Sequence, residues 1–322
     1  MSRSSRIAWL LVLVLAVSGP ALAQPYPSKP VRLVVGFPPG GGTDINARLL
    51  AAKLPEFLGQ PFVVENRPGA ATNIATEHVA RSAPDGYTIL VTTSTVAINP
   101  AIYRKLPFDV LRDFAPVSIL SDSPNVLVVR AGLAAKDVGE LVALARAKPG
   151  VLNYSSAGSG TTQHMTGELF KLRTGTDIVH VPFKGSAPSL TTLIAGDVDM
   201  TFANIPVILP HVRAGRLRAL AVAGDKRSEL MLEVPTMKEA GVDGVEVTIW
   251  YGVLAPAATP REVVDTLAAA VIKAARSPDI RQRLLEQGAE PIGNTPEEFA
   301  KQLREEVARW NKVVAASGIR VD

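Results

Sequence analysis

Cysteine is absent from this chain of 322 residues. Its absence excludes disulfides, thiolate metal sites, cysteine nucleophiles and a lipid-modified cysteine. Histidine is scarce, and no two of the four (His78, His164, His180 and His211) have the spacing of paired metal ligands. We therefore expect no metal centre and no cofactor.

The chain also has a small net charge and few aromatic residues. The formal net charge is +4, and Arg3 and Arg6 of the N-terminal segment contribute two of those charges. This is too little to predict binding to nucleic acid or to a membrane surface. Only 5% of the residues are aromatic, which does not favour a sugar-stacking site. The length and the 47% hydrophobic content predict a globular protein of about two domains.

The N-terminus has the layout of a secretory signal. Arg3 and Arg6 precede the apolar run Ile7–Val17, and Ala21-Leu22-Ala23 follows a Ser-Gly-Pro break. As a membrane anchor, such a run would cover only about half of a bilayer core. We therefore predict export to the periplasm, cleavage after Ala23 and no stable membrane association of the mature chain.

One local pattern occurs twice. A buried strand at Val31–Phe37 is followed by a glycine-rich turn, by Thr43 and Asp44 as capping oxygens, and by a helical stripe. A strand at Leu152–Ser155, a second glycine-rich turn and a helix from Thr162 repeat it. Strands alternating with helices predict parallel α/β sheets in two domains. Further strands are predicted at 62–65, 87–92, 117–120 and 125–129, and further helices at 72–81, 138–148 and 299–314.

Both glycine-rich turns are candidate anion sites. They are Gly40–Thr43 and Gly158–Thr162, and neither has the glycine or lysine pattern of a nucleotide-binding loop. A ligand at the carboxyl end of a parallel strand meets the unpaired N–H groups of the next helix. The alternative is that each turn only makes a tight connection.

Many short segments together resemble one family. From about Tyr26 to Asp322 the sequence resembles the Bug-type receptors, the extracytoplasmic solute-binding proteins of tripartite tricarboxylate transporters. The segments that carry the resemblance are Gly36-Phe37-Pro38-Pro39-Gly40-Gly41-Gly42-Thr43-Asp44, Val64-Glu65-Asn66-Arg67-Pro68-Gly69-Ala70, Pro84-Asp85-Gly86-Tyr87-Thr88, Ala97-Ile98-Asn99-Pro100, Asn153-Tyr154-Ser155-Ser156-Ala157-Gly158, His164, Gly167-Glu168-Leu169-Phe170, Val181-Pro182-Phe183-Lys184-Gly185 and Gly196-Asp197-Val198-Asp199-Met200.

The resemblance implies an α/β periplasmic-binding-protein fold of two lobes that close like a flytrap, with two crossover strands. By analogy the crossings lie near 121–125 and 248–252. Residues 24–122 and 252–322 then form lobe 1, and residues 123–251 form lobe 2. It also implies a non-enzymatic receptor that delivers a small carboxylate to inner-membrane transporter subunits, and the ligand classes that we expect are di- or tricarboxylates and aromatic carboxylates. We expect the protein to be a monomer.

The same resemblance, together with the turns, predicts a set of ligand-binding residues. They lie on the two glycine-rich turns, at the end of the strand that follows Tyr87, and beside Phe202. The predicted residues are Phe37, Gly40, Gly41, Gly42, Thr43, Asp44, Thr93, Ser94, Ser156, Gly158, Ser159, Gly160, Thr161, His164, Ala203 and Asn204.

The sequence departs from the family pattern at three places. Relatives often have Gly-Ala-Gly-Gly-x-Ile-Gly where this chain has Gly69-Ala70-Ala71-Thr72-Asn73-Ile74-Ala75. Thr161 replaces a usual serine and keeps the hydroxyl, while Ala203 stands where an acid is common. These departures leave the identity of the ligand open.

Two other classes of function remain as alternatives. A ligand-presenting module for a sensor kinase would share the same fold. An exported hydrolase would need Ser159 as nucleophile and His164 as base, but the turn lacks the first glycine of GxSxG. We expect His164 to pack or to form a hydrogen bond at the helix start instead.

Two further pairs of residues were considered for a functional role. Asp197 and Asp199 are predicted to share one face of a strand as solvated or capping acids, rather than as an acid/base pair. Trp250 and Tyr251 lie near the second predicted crossing. They fit cleft lining and core packing equally well.

Overall fold

The computed structural model describes residues 25–317. Within that range the chain alternates strands and helices for most of its length. The strands are β1 (Val31–Val35), β2 (Phe62–Asn66), β3 (Thr88–Thr93), β4 (Phe114–Arg130), β5 (Asn153–Ser156), β6 (Val179–Pro182), β7 (Met200–Asn204), β8 (Leu217–Ala223), β9 (Thr248–Pro256) and β10 (Glu290–Pro291). The helices are α1 (Gly42–Lys53), α2 (Pro55–Leu58), α3 (Asn73–Ala80), α4 (Thr95–Ile102), α5 (Val138–Ala147), α6 (Thr162–Thr174), α7 (Ser186–Ala195), α8 (Ile205–Arg213), α9 (Arg261–Arg276), α10 (Pro278–Glu286) and α11 (Pro296–Ser317).

The strands form one mixed sheet whose order is β2-β1-β3-β9-β4-β7-β5-β6, with β8 and β10 also paired to β4. The outer pairs β1/β2, β1/β3, β5/β6 and β5/β7 are parallel, as the repeated strand–turn–helix unit predicts. Strands β9 and β4 join the two parallel groups through antiparallel pairs. The two glycine-rich turns therefore leave the carboxyl ends of β1 and β5, one in each parallel group.

Strand β4 corrects one prediction. The sequence predicts two separate strands at 117–120 and 125–129, but β4 is continuous over 17 residues. Pairing explains why it is not interrupted: β9 is its partner as far as Pro124, and β7 and β8 are its partners from Asn125. Pro124 lies where one set of partners gives way to the other.

Three apolar clusters pack the helices against the sheet. One packs α1 and α9 against β1 and β3, around residues such as Leu33 and Val271. A second packs α7 and α8 against β4 and β8, around residues such as Val126 and Ile208. The largest contains residues of both parallel groups and of α11, including Leu90, Phe202 and Trp310. None of the helices within 25–317 combines the length and the hydropathy needed to cross a membrane.

Candidate functional site

A pocket lies where five helices begin. The first turns or cap residues of α1, α4, α6, α7 and α8 all border it, together with the start of β9. The residues that line it are Phe37, Pro38, Pro39, Gly41, Gly42, Thr43, Thr95, Ala157, Thr161, Thr162, Gln163, Gly185, Ser186, Ala187, Pro188, Asn204, Ile249 and Tyr251. Because the first N–H groups of a helix have no partner inside the helix, this convergence concentrates donors and positive dipole ends in one place.

The lining of the pocket combines apolar residues with uncharged polar ones. None of the described residues that border it is acidic or basic. The cavity measures about 30 Å³, which is room for about two water molecules. It is far smaller than the roughly 300 Å³ at the lower end of small-molecule sites. The walls are therefore close together in this conformation, and a solute can enter only if they separate.

The first glycine-rich turn presents the start of α1. Gly41 is the N-cap residue in extended conformation, and the helix begins at Gly42. The sequence predicts Thr43 and Asp44 as caps, which is wrong, because no side chain caps this helix. The reason is that the glycine turn already leads directly into the helix, which places both residues inside its first turn.

Asp44 closes the turn from behind. Its carboxylate accepts hydrogen bonds from the Gly40 N–H at 3.0 Å, from Arg48 Nε at 2.9 Å and from Asn66 Nδ2 at 3.0 Å. Burial alone would raise the pKa of Asp44, but the hydrogen bonds from Arg48, Gly40 and Asn66 hold that pKa below its ordinary value. The carboxylate is thus charged but paired with Arg48, and neither Asp44 nor Gly40 borders the pocket.

Several N–H groups of the second glycine-rich turn already have hydrogen-bond partners within the protein. Gly158 N–H donates to Ser156 Oγ at 3.1 Å, Gly160 N–H donates to His164 Nδ1 at 3.1 Å, and the Thr161 N–H donates to the Gly158 carbonyl at 3.2 Å. Gly158 and Gly160 have φ values of 136° and 87°, a backbone region that favours glycine. The two glycines shape the turn, while Thr161, which caps α6, and Thr162 reach the pocket.

Two buried threonine hydroxyls at the pocket have no protein partner. They are Oγ1 of Thr95 and Oγ1 of Thr162, and both residues line the pocket. The neighbouring Thr93 Oγ1 instead accepts from Thr95 N–H at 3.2 Å, and Ser94 Oγ donates to the Thr248 carbonyl at 3.4 Å. Buried hydroxyls usually have partners, so these two unsatisfied hydroxyls are the candidate donors for a solute.

The sequence did not predict that the start of α7 belongs to the site. It also left open whether Trp250 and Tyr251 of β9 line the cleft. Gly185–Pro188 begins α7 at the pocket, and the family segment ending at Gly185 was the signal for it. Of the two alternatives for Tyr251, cleft lining and core packing, the structure shows the first: its hydroxyl accepts a hydrogen bond from Asn204 Nδ2 at the pocket wall. Trp250 alternates to the other side of β9, where its Nε1–H donates to Glu306 and its ring packs on Phe299.

The structure brings together only part of the predicted set. Phe37, Gly41, Gly42, Thr43, Thr161 and Asn204 line the pocket. Gly40, Asp44, Ser156, Gly158, Gly160 and His164 lie next to it and hold the two turns. Thr93 and Ser94 adjoin Thr95; Ser159 accepts from Tyr103 Oη through its carbonyl at 3.4 Å; and Ala203 is buried in an apolar cluster.

The predicted strand carrying Asp197 and Asp199 is also different. Strand β7 begins only at Met200, so neither acid lies in it. Asp199 accepts from Arg130 Nε at 3.0 Å and from Asn153 N–H at 3.1 Å, which ties the edge of the sheet together. Among residues 25–317, no group of three or more metal-ligating side chains is clustered.

The mixed sheet, the bridging strands and the pocket of helix starts define a periplasmic-binding-protein architecture, and comparisons with known proteins agree. The chain belongs to the tripartite tricarboxylate transporter family receptors, whose family pattern it matches over residues 46–319. It is similar to protein BugT of Bordetella pertussis, with 36% identity over 323 residues that cover 100% of this chain and 99% of BugT.

Two solved structures share the fold closely. Rpa4515 of R. palustris with adipate is 41% identical, with a TM-score of 0.89 over 92% of this chain and 99% of that chain. MatC of Rhodopseudomonas palustris with bound malate is 35% identical, with a TM-score of 0.86 over 90% and 100% of the two chains. These relatives confirm the predicted family, the α/β periplasmic-binding-protein fold and the role of solute-binding receptor.

Proposed function

We propose that the pocket at the five helix starts binds a small dicarboxylate and hands it to a tripartite transporter. The observation that carries this proposal is the convergence of helix N-termini in a lining without charged side chains. Such a site stabilises negative charge through N–H groups, hydroxyls and dipoles. The adipate and the malate bound to two similar structures support the same class of ligand.

The magnitudes are sufficient. A hydrogen bond to a charged group contributes about 1.5–3 kcal/mol, and micromolar binding needs about 8 kcal/mol. Four or five such bonds, less the cost of ordering the ligand, reach that value. The threonine hydroxyls of Thr95 and Thr162 and the N–H groups at the start of α1 supply them without arginine or lysine.

The ligand should lack a positive charge. A buried ammonium group needs an acidic partner, and no acidic side chain lines the described pocket. Calorimetric titration of succinate against aspartate, and of adipate against its 2-amino derivative, tests the proposal directly. We expect the plain dicarboxylate of each pair to bind at least tenfold more tightly. Tighter binding of the amino derivatives, or no binding of any carboxylate, would contradict it.

We further propose that the receptor has no catalytic activity. His164 Nδ1, the base that a Ser159 nucleophile would need, already accepts the Gly160 N–H, and neither His164 nor Ser159 borders the pocket. Burial and Lys171 lower the pKa of His164 to about 4. Turnover of ester and amide substrates by the purified protein would refute this.

Export and partners complete the proposal. The signal segment and its cleavage after Ala23 lie outside the described residues, and sequencing the N-terminus of the secreted protein tests the site. We propose a monomer, which light scattering of the purified protein checks. Pull-down against permease subunits and against sensor-kinase periplasmic domains distinguishes delivery to the transporter from presentation to a sensor.

A further inference from the structure

Three aromatic rings are stacked directly behind the second glycine-rich turn. Tyr154 of β5 stacks on His180 of β6, with ring centroids 4.8 Å apart and an interplanar angle of 28°. His180 stacks in turn on His164 of α6, at 4.0 Å and 21°. The stack therefore fixes the imidazole of His164 between a strand and a helix, and none of the three rings borders the pocket.

The two imidazoles of this stack each hold one end of the turn. His164 Nδ1 accepts the Gly160 N–H at 3.1 Å. His180 Nε2 lies 2.7 Å from Ser156 Oγ, and that same hydroxyl accepts the Gly158 N–H at 3.1 Å. Because Gly158 and Gly160 have φ values of 136° and 87°, the turn has no regular secondary structure to keep its shape.

The second glycine-rich turn connects the pocket with a neighbouring part of the fold. It leads into Thr161 and Thr162, which line the pocket at the start of α6. It also contacts the residue that follows α4, because Tyr103 Oη donates to the Ser159 carbonyl at 3.4 Å. A displacement of the turn would move the donors of α6 and weaken the contact with Tyr103 at the same time.

We propose that His164 is a positioning residue for ligand binding, which acts by accepting the Gly160 N–H and not by touching the ligand. This inference rests on the proposed function, since it assigns a role within that same site. His180 and Ser156 hold the other end of the turn in the same way. The rings act as a spacer between β5, β6 and α6, so that the turn is preformed before a ligand arrives.

The mechanism requires a neutral His164. Protonation of Nδ1 would place a proton against the Gly160 N–H and break the bond. Burial and Lys171 lower the pKa of His164 to about 4, and burial and His164 lower the pKa of His180 to about 3. The charged groups that face the stack are Glu168 and Lys171, which pair with each other at 2.8 Å. The acceptor thus stays available over the physiological pH range.

Two variants separate the acceptor from the ring. His164→Phe keeps an aromatic ring for the stack but removes the acceptor. His164→Asn loses the ring but places an amide oxygen near the Nδ1 position. Hydrogen exchange of the Gly160 amide in the ligand-free protein is the first measurement, and calorimetric affinity for malate and for adipate is the second.

We expect His164→Phe to speed exchange at Gly160 about tenfold and to lower the affinity for malate and adipate by a similar, ligand-independent factor of about ten. We expect His164→Asn to restore most of both. Unchanged exchange and affinity in His164→Phe, or a loss confined to one ligand, would overturn the proposal, the latter in favour of direct contact.

Ser156→Ala gives an independent test, because it removes the acceptor of the Gly158 N–H while all three rings remain. It should speed exchange at Gly158 and leave Gly160 protected. Equal acceleration at both amides would overturn the assignment of one imidazole to each end. If the wild-type protein binds neither malate nor adipate, the proposed function is weakened, while the exchange pattern still decides the role of His164.

Discussion

Gly42 shows how a single missing side chain shapes the pocket. A Cβ atom at this position would overlap both Asn204 Nδ2 and the Tyr251 hydroxyl, which meet in a hydrogen bond at the pocket wall. We expect Gly42→Ala to lower the affinity for malate at least tenfold, because the walls can no longer approach each other. Calorimetric titration measures this.

Gly41→Ala is the matched control. A Cβ atom at Gly41 would meet only the Pro38 carbonyl, at 3.9 Å, and its φ of −84° suits any residue. Its affinity should stay within about threefold of wild type. Equal losses in the two variants would show that the turn as a whole, not the space at Gly42, limits binding.

Asp122 of β4 predicts a pH-dependent effect on stability. Burial, with the nearby Glu290 and Asp225 adding to it, raises the pKa of this carboxyl to about 6, and its Oδ1 has no hydrogen-bond partner. A carboxyl whose pKa is raised by folding destabilises the protein wherever it is ionised, so the penalty is full above pH 6 and disappears below its unfolded pKa of 3.8.

We therefore expect Asp122→Asn to raise the free energy of unfolding at pH 8 by up to about 2–3 kcal/mol. The gain should shrink as the pH falls from 6 towards 4. Urea titrations at several pH values test this, with the exposed Asp197→Asn, which does not act on Asp122, as control. A gain that does not depend on pH would mean that the carboxyl is not the cause.

Some residue-level features could be predicted from the sequence, and others could not. Ala71 and Thr72 replace glycines of the family pattern, and both have positive φ values, 47° and 75°. The family pattern thus indicates where the backbone has positive φ values. It does not indicate that alanine and threonine can adopt them here. Likewise, Thr93 and Ser94 were predicted beside the pocket, yet the lining residue is Thr95, because the strand-to-helix turn sets which side chain points inward.

At the level of elements, the proposed binding groups lie at the helix starts. Thr95 and Thr162 begin α4 and α6, and their buried hydroxyls have no protein partner. We expect Thr95→Val and Thr162→Val each to weaken malate binding about tenfold, since one hydrogen bond to a charged group is lost. The free energy of unfolding should not fall, because no bond within the protein is removed.

Thr166→Val is a useful control for this pair. Its hydroxyl lies one turn further along α6 and donates to the Thr162 carbonyl at 2.6 Å, away from the pocket lining. This change should alter stability more than affinity. The assignment of the two unpartnered hydroxyls to the ligand would fail if Thr95→Val and Thr162→Val lost stability while binding malate normally.

Elements with local signals were predicted better than those set by pairing. The start of α11 carries such a local signal: Thr295 N–H donates to Glu298 Oε2 at 2.8 Å, and Glu298 N–H donates to Thr295 Oγ1 at 3.2 Å, a capping box. The continuity of β4 was missed, because no residue within the strand reveals that its partners change at Pro124. The start of α7 was missed as part of the site, because convergence of five helices depends on the order of strands in the sheet.

At the scale of the whole molecule, the strands that link the parallel groups suggest how the pocket opens. β4 is paired with β9 up to Pro124 and with β7 and β8 beyond it. We therefore propose lobes close to the predicted 24–122 with 252–322, and 123–251, hinged where β4 and β9 pass between them. The pocket contains groups of both, such as Gly42 and Thr162.

Motion of these lobes is the last prediction. A cavity of about 30 Å³ has no room for adipate, so the walls must separate before the ligand enters. Each lobe supplies only part of the donors, so the ligand gains its full set of hydrogen bonds only when the lobes close on it. We expect the radius of gyration from small-angle scattering to decrease when wild-type protein is saturated with malate or adipate. Gly42→Ala, whose added methyl group holds the walls apart, should show a smaller decrease at equal saturation. An unchanged radius in saturated wild-type protein would mean that the pocket fills without movement of the lobes.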